Sequence, residues 1–255
     1  MSPGATGPHQ LGARRASGCR VWRSYAHSSV SDQQNPHQDR LHAKKKSLSS
    51  PRLDDPDIQG SRIAWIHVLK LLAIFCLSKL VFFDESFVHT HMTRSHGRSH
   101  KGKRVHGRLK HRSARYTLIG AVGIDGLYGQ WLINRAMSQK DFETYIETIL
   151  IPALPPRRIM IWDNLNSHYS EFIAEAMRKA GHIILFQSAY SPDLNPIEKV
   201  WSKIKALVRG QQPRGAADLR QAVDWAWGQV TRNDIWGWFA HCLPLDIRGD
   251  QLALL

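Results

Sequence analysis

"SAYSPDLNPIEKVWSKIKALVR", residues 188–209, decides how the chain is read. Ile197, Val200, Trp201, Ile204, Leu207 and Val208 recur at three- and four-residue steps, the period of a helix with one buried face. Asn195 is a favoured N-cap, Pro196 suits the first helical position, and Glu198 falls third, where a carboxylate can reach back to the amide of the cap. By itself, then, Glu198 reads as half of a capping box. Whether it has other work depends on the rest of the chain.

A chain of 255 residues with 42% hydrophobic residues and 9 Trp can fold as one α/β domain with a full core, or as two small domains. The formal net charge of +14 favours a polyanionic partner, nucleic acid before anionic membrane. Cys19, Cys76 and Cys242 form no C-x-x-C pair, which argues against a disulfide framework or a zinc site and fits a reducing cytosol. The first 30 residues contain no apolar run, so no signal peptide is expected. "AWIHVLKLLAIFCLSKLVFF", residues 64–83, has the length of a spanning helix but carries His67, Lys70 and Lys79. It is read as a helix followed by a buried strand, with no membrane contact.

Residues 1–43 are rich in Ser, Gly, Pro, His and Arg without periodicity, and are expected to be a disordered basic arm. Residues 44–78 read as a linker and helix leading into a core at 79–212, and 213–255 as a helical segment with a divergent tail. Within the core, "KLVFFDES" ends an apolar run of strand length in two acids, and "RYTLIGAVGIDGLYGQWLIN" is two strands around Asp125-Gly126, a hairpin signal. The helix "SQKDFETYIETILIPAL" follows, capped by Ser138, then the strand "RIMIWDN", the helix "SEFIAEAMRKAG" stopping at Gly181, and the strand "HIILFQSAY". A hairpin followed by strand–helix alternation implies a mixed sheet flanked by helices. Trp225, Trp227, Trp236 and Trp238 are expected to pack rather than to stack on bases.

On this reading Asp84 and Asp163 each end a strand, and Glu198 opens the helix after the next strand. Ligands of open α/β sheets are usually handled at the carboxyl ends of strands. Three carboxylates converging there would repel one another unless something cationic lay between them. Hard divalent cations answer that need, and a pair of them can clamp both reacting oxygens of a phosphodiester.

"LVFFDES", "IWDNLNSH" and "YSPDLNPIEKVWSKIK", in this order, resemble the catalytic core of the DDE transposases of the mariner superfamily, in particular its bacterial insertion-sequence branch. Thirty-four residues separate Asp163 from Glu198, the spacing typical of that branch, and the similarity runs from about Lys44 to about Cys242. The resemblance implies an RNase H-like fold in which Asp84, Asp163 and Glu198 are catalytic and hold two Mg²⁺ or Mn²⁺ ions. It also implies cleavage of double-stranded DNA at the ends of a mobile element, and attack of the freed 3′ hydroxyl on target DNA, usually at a TA step. A homodimer on the DNA, in the bacterial cytosol and associated with the nucleoid, goes with that reading.

Among the neighbours, Glu85 should point to the opposite face from Asp84, Asp125 is a turn residue, and Asp193 shapes the loop before the last helix of the core. Asn164, His168 and Asn195 are supporting candidates; Asn164 and His168 match the family and would either orient their loop or touch substrate. Between His89 and Arg115 lie nine Lys or Arg, six His and no acid, a natural phosphate track. The DNA-binding candidates there are Arg94, Arg98, Lys101, Lys103, Arg104, Arg108 and Lys110, joined by Lys203 and Lys205. The His spacing matches no zinc pattern. Residues 1–43 hold no helix-turn-helix, and "LPLDIRGDQLALL" leaves the family pattern after Cys242, so both ends read as sequence from a shifted or damaged frame. The alternative to an enzyme is a non-catalytic DNA-binding remnant of a transposase.

Overall fold

Ten residues, Leu80–His89, form the central strand β1, apolar over its first four positions and then interrupted by Asp84 and Glu85. The structure, a computed structural model, describes residues 54–94, 96–106, 113–163 and 170–243. The expected N-terminal arm, Asn164, His168, Arg108, Lys110 and the tail beyond Leu243 lie outside these residues.

On one side β1 pairs antiparallel with β2 (Arg115–Gly123), which turns back through Ile124 and Asp125 into β3 (Gly126–Ile133). On its other side β1 pairs parallel with β4 (Ile159–Trp162), and β4 with β5 (Ile183–Phe186). The result is a mixed five-stranded sheet in the order β3-β2-β1-β4-β5. The hairpin turns where Asp125-Gly126 stands. Asp125 does more than turn, because its carboxylate pairs at 2.6 Å with Arg158, at the entrance of β4.

Alternation along β1 sorts the core into two layers. Leu80, Phe82 and Val88 face α1 (Pro56–Cys76), α5 (Ile197–Gln211), α6 (Ala216–Gly228) and α7 (Arg232–Cys242). Val81 and Phe83 face α2 (Gln139–Tyr145) and α4 (Glu171–Lys179). Ser138 caps α2 in a complete capping box with Asp141, and Ser170 caps α4. The helix expected from 138 onward is not uniform. After Tyr145 it widens into a π turn, Ile146–Leu150, and closes with α3 (Ile151–Ala153). Pro152 lacks an N–H and crowds the carbonyl four residues before it, which accounts for the wider turn.

Asp84 does not end its strand, contrary to the sequence reading. β1 continues for five residues beyond it because β2 pairs with β1 as far as His89↔Arg115. Residues 64–83 do form a helix and then a buried strand, joined by a short turn at Leu77–Lys79. Among the described residues, Pro56–Lys79 is the segment long and apolar enough to cross a membrane; Trp65, Leu69, Ala73 and Leu77 pack one side of it against the core, while Ile63, Val68, Leu71, Ile74 and Phe75 are exposed. Trp227, Trp236 and Trp238 pack as expected, whereas Trp225 is 44% exposed.

Candidate active site

The parallel register carries Phe82 opposite Ile161. Two residues further, Asp84 stands level with Asp163, the first residue past β4, so one carboxylate lies within a strand and the other where its neighbour has just ended. Parity puts Asp84 on the face of Leu80 and Phe82, and Asp163 on the face of Ile159 and Ile161; both are the face that α5 covers. Ile197, Val200, Trp201, Ile204 and Val208 dock α5 there, with Glu198 in its first turn. The three acids therefore come from two adjacent strands and the helix laid across them.

Asp84 shows the consequence. Burial, then the like charges of Glu198 and Asp163, push its carboxyl up to about 7; the Glu85 backbone N–H and the Trp201 indole, which donates to Oδ2 at 3.3 Å, pull the other way. Lys205, two turns beyond Glu198, is close enough to feel both Glu198 and Asp84. Its own burial nevertheless holds its ammonium below the usual lysine value. Glu85 faces the other layer, where its charge acts on the buried Tyr145 hydroxyl.

The entrance to α5 settles half of the capping box. Asn195 is buried in extended backbone and its side chain accepts the Ile197 N–H at 3.2 Å, as a cap should. Its own amide, however, donates to the carbonyl of Pro192 at 3.2 Å, within the tight turn Pro192–Leu194. Among the described residues nothing returns from Glu198, whose side chain is exposed at the helix start. Glu198 is not the other half of a capping box here. Asp193 shapes this loop by pairing with Arg62 of α1 at 2.8 Å, while Arg62 also donates to Ser191 Oγ at 3.0 Å and to the carbonyl of Tyr190, a residue held at φ 57°.

The basic candidates separate. Arg98, Lys101, Lys103 and Arg104 are exposed, and Arg94, also exposed, reaches the carbonyl of Gly210 at the end of α5. Lys203, another of the candidates, forms an ion pair with Asp234 of α7. Four contributors escaped the sequence reading: Arg62, Trp201, Trp227 and Gly120. Gly120 lies opposite Asp84 in the β1–β2 pair, with the Trp227 ring over its Cα. Only the cluster of Trp residues near the C-terminus hinted at any of this, through bulk rather than position.

As they stand, no three His, Cys, Asp or Glu side chains among the described residues are drawn together tightly enough to hold a metal ion. Burial, and after it the like charges of Glu198 and Asp163, are what raise the Asp84 carboxyl. The donors are nonetheless hard carboxylate oxygens on one face, the set that Mg²⁺ or Mn²⁺ takes.

A 3-2-1-4-5 mixed sheet with an acid within its central strand and a covering helix on that face is the RNase H-like class of fold. The sequence profile of the DDE superfamily endonucleases matches residues 79–220, more than half of the chain, and the chain belongs to that family. No curated protein sequence matches it. Among solved structures it is similar to the Mos1 transposase paired-end complex with left transposon end, with a TM-score of 0.67 and 15% identity over 80% of this chain and 64% of that one. The mariner Mos1 paired-end complex with Mg gives 0.67 and 15% over 81% and 65%, and the catalytic domain of Mos1 mariner transposase 0.55 and 12% over 77% and 92%. The chain spans less than two thirds of the Mos1 chains in those complexes.

Proposed function

We propose that this chain is the catalytic core of a transposase of the mariner superfamily, from its bacterial insertion-sequence branch. It cuts double-stranded DNA at element ends and joins the freed 3′ hydroxyl to target DNA at a TA step, working as a homodimer on the DNA in the cytosol. The observation that carries this reading is the placement of Asp84, Asp163 and Glu198 on one face of an RNase H-like sheet, with Glu198 uncommitted to its cap.

Asp84, Asp163 and Glu198 would hold two Mg²⁺ or Mn²⁺ ions. Such ions, when bound, activate the attacking oxygen and offset the charge that builds on the phosphate and the leaving oxygen. The residues of the chain do the rest. β1 and β4 would hold the two aspartates at one level, and α5 carries Glu198 in its first turn on the face they share. The loop that starts α5 is tied to α1 by Arg62, so the third acid has a fixed origin. Arg98, Lys101, Lys103 and Arg104 offer exposed charge to phosphates, which positions a duplex without reading its bases.

The test uses the full chain, a labelled duplex with a free 3′ hydroxyl, and a supercoiled plasmid, with and without Mg²⁺. Metal-dependent nicking and joining, with junctions falling at TA, is the expected result for the wild type, and Glu198→Ala should lose both while still binding DNA. A wild type that binds the duplex but neither nicks nor joins would overturn the enzymatic reading in favour of a non-catalytic remnant.

A further inference from the structure

We infer that Trp201 is a positioning residue for Asp84, the donor that fixes how this carboxylate is presented to a divalent cation. The inference rests on the reading of Asp84 as a metal ligand given above. A carboxylate has about four lone-pair sites on two oxygens and turns freely about its last torsion unless something holds it. Here the Trp201 Nε1–H donates to Oδ2 at 3.3 Å. With that oxygen held by the indole, the carboxylate plane and its remaining lone pairs have one orientation.

Trp201 is itself held from three directions. It is 2% exposed, fixed on α5 three residues after Glu198, so one rigid helix carries both an acid and the donor that orients a second acid. Behind it lies Trp227 of α6, ring centroids 6.3 Å apart at 39°. The edge of Trp227 occupies the space over Gly120, and Gly120 is the residue paired with Asp84 across β1 and β2. The contacts therefore close a ring: Asp84, Gly120, Trp227, Trp201 and back to Asp84. A bare Cα at 120 leaves room for the indole, since a Cβ there would lie 2.4 Å from it. Packing alone does not require Trp at 201, because Phe fills an apolar stripe as well; the N–H is what Phe lacks. Outer partners of metal-binding carboxylates set ligand orientation and typically matter about 10–100-fold in metal affinity.

The test is Mn²⁺ binding to the full chain, without DNA, read by electron paramagnetic resonance. Two replacements are compared with wild type: Trp201→Phe, and 3-benzothienylalanine at 201, which keeps the shape of the indole and removes its N–H. Both should weaken Mn²⁺ binding by about tenfold or more, and the benzothienyl protein should melt with wild type. In cleavage assays the Mg²⁺ concentration for half-maximal rate should rise while the rate at saturating Mg²⁺ recovers. Wild-type Mn²⁺ affinity in the benzothienyl protein, with binding abolished in Asp84→Asn, would overturn the positioning role and leave the metal site standing. Unchanged binding in Asp84→Asn as well would overturn the metal-site reading, and this inference with it.

Discussion

Gly120→Ala probes the closed ring of contacts with a single methyl group. The new Cβ would lie 2.4 Å from Trp227 Cη2, 3.0 Å from its Cζ3 and 3.5 Å from Trp201 Cη2. Carbon atoms settle at about 3.5–4.0 Å, so the Trp227 ring must withdraw by about 1 Å. Trp227 is packed against the core that α5, α6 and β1 share, and overpacking of this kind costs about 1–3 kcal/mol. Replacing Gly in a strand returns about 0.5–1 kcal/mol of that. The expected net loss is about 1–2 kcal/mol, or a melting temperature lower by roughly 2–8 °C for a domain of this size. Urea and thermal unfolding of the metal-free protein measure it. Trp227→Leu in the same background should recover part of the loss, giving a non-additive cycle because the two side chains compete for one space. Unchanged stability in Gly120→Ala, or a strictly additive cycle, would refute the reasoning.

Three further outcomes follow from the site. The Asp84 carboxyl, near 7 when folded against an ordinary 3.8, keeps a proton that the unfolded chain gives up, so metal-free stability should fall as pH rises from about 4 to about 7 and level off above. That slope, on the order of 4 kcal/mol at most, should flatten in Asp84→Asn, and equal slopes in urea titrations across this range would count against the buried-acid account. Asn195→Ala should cost about 0.5–2 kcal/mol as the loss of a cap, whereas Glu198→Ala should cost almost nothing in stability; the reverse order would restore the capping box. Replacing Arg98, Lys101, Lys103 and Arg104 by Ala should weaken binding to unrelated duplexes alike and lower the salt slope by roughly 0.9 for each phosphate no longer neutralised, and an unaltered slope would make the segment a solvated loop.

Much of the architecture was legible because its signals are local. Asp125-Gly126 marks the hairpin, Ser138 caps its helix, and the α5 stripe is buried as its period requires. What could not be read depended on partners distant in sequence. Apolar content locates β1, but only its pairing with β2 decides that the strand runs on past Asp84 to His89. The motif around Asn195 and Glu198 meets every requirement of a capping box, yet the Pro192 carbonyl reaches the Asn195 amide first. Trp201 counted as one more apolar residue in a helical stripe, since periodicity is blind to the N–H at the ring's edge. The ion pair of Lys203 with Asp234 of α7 likewise joins residues 31 apart, which no local pattern announces.

Magnesium-dependent nicking of supercoiled plasmid by the wild type and by Asp163→Asn, side by side at equal DNA occupancy, tests the central claim most directly. Asp163 immediately follows β4 at the level of Asp84, and Asn keeps its size while removing the charge that a cation would need. Nicking by the wild type that vanishes on chelation, and is absent from Asp163→Asn at any Mg²⁺ concentration, is the result predicted. Equal nicking by the two proteins would contradict it.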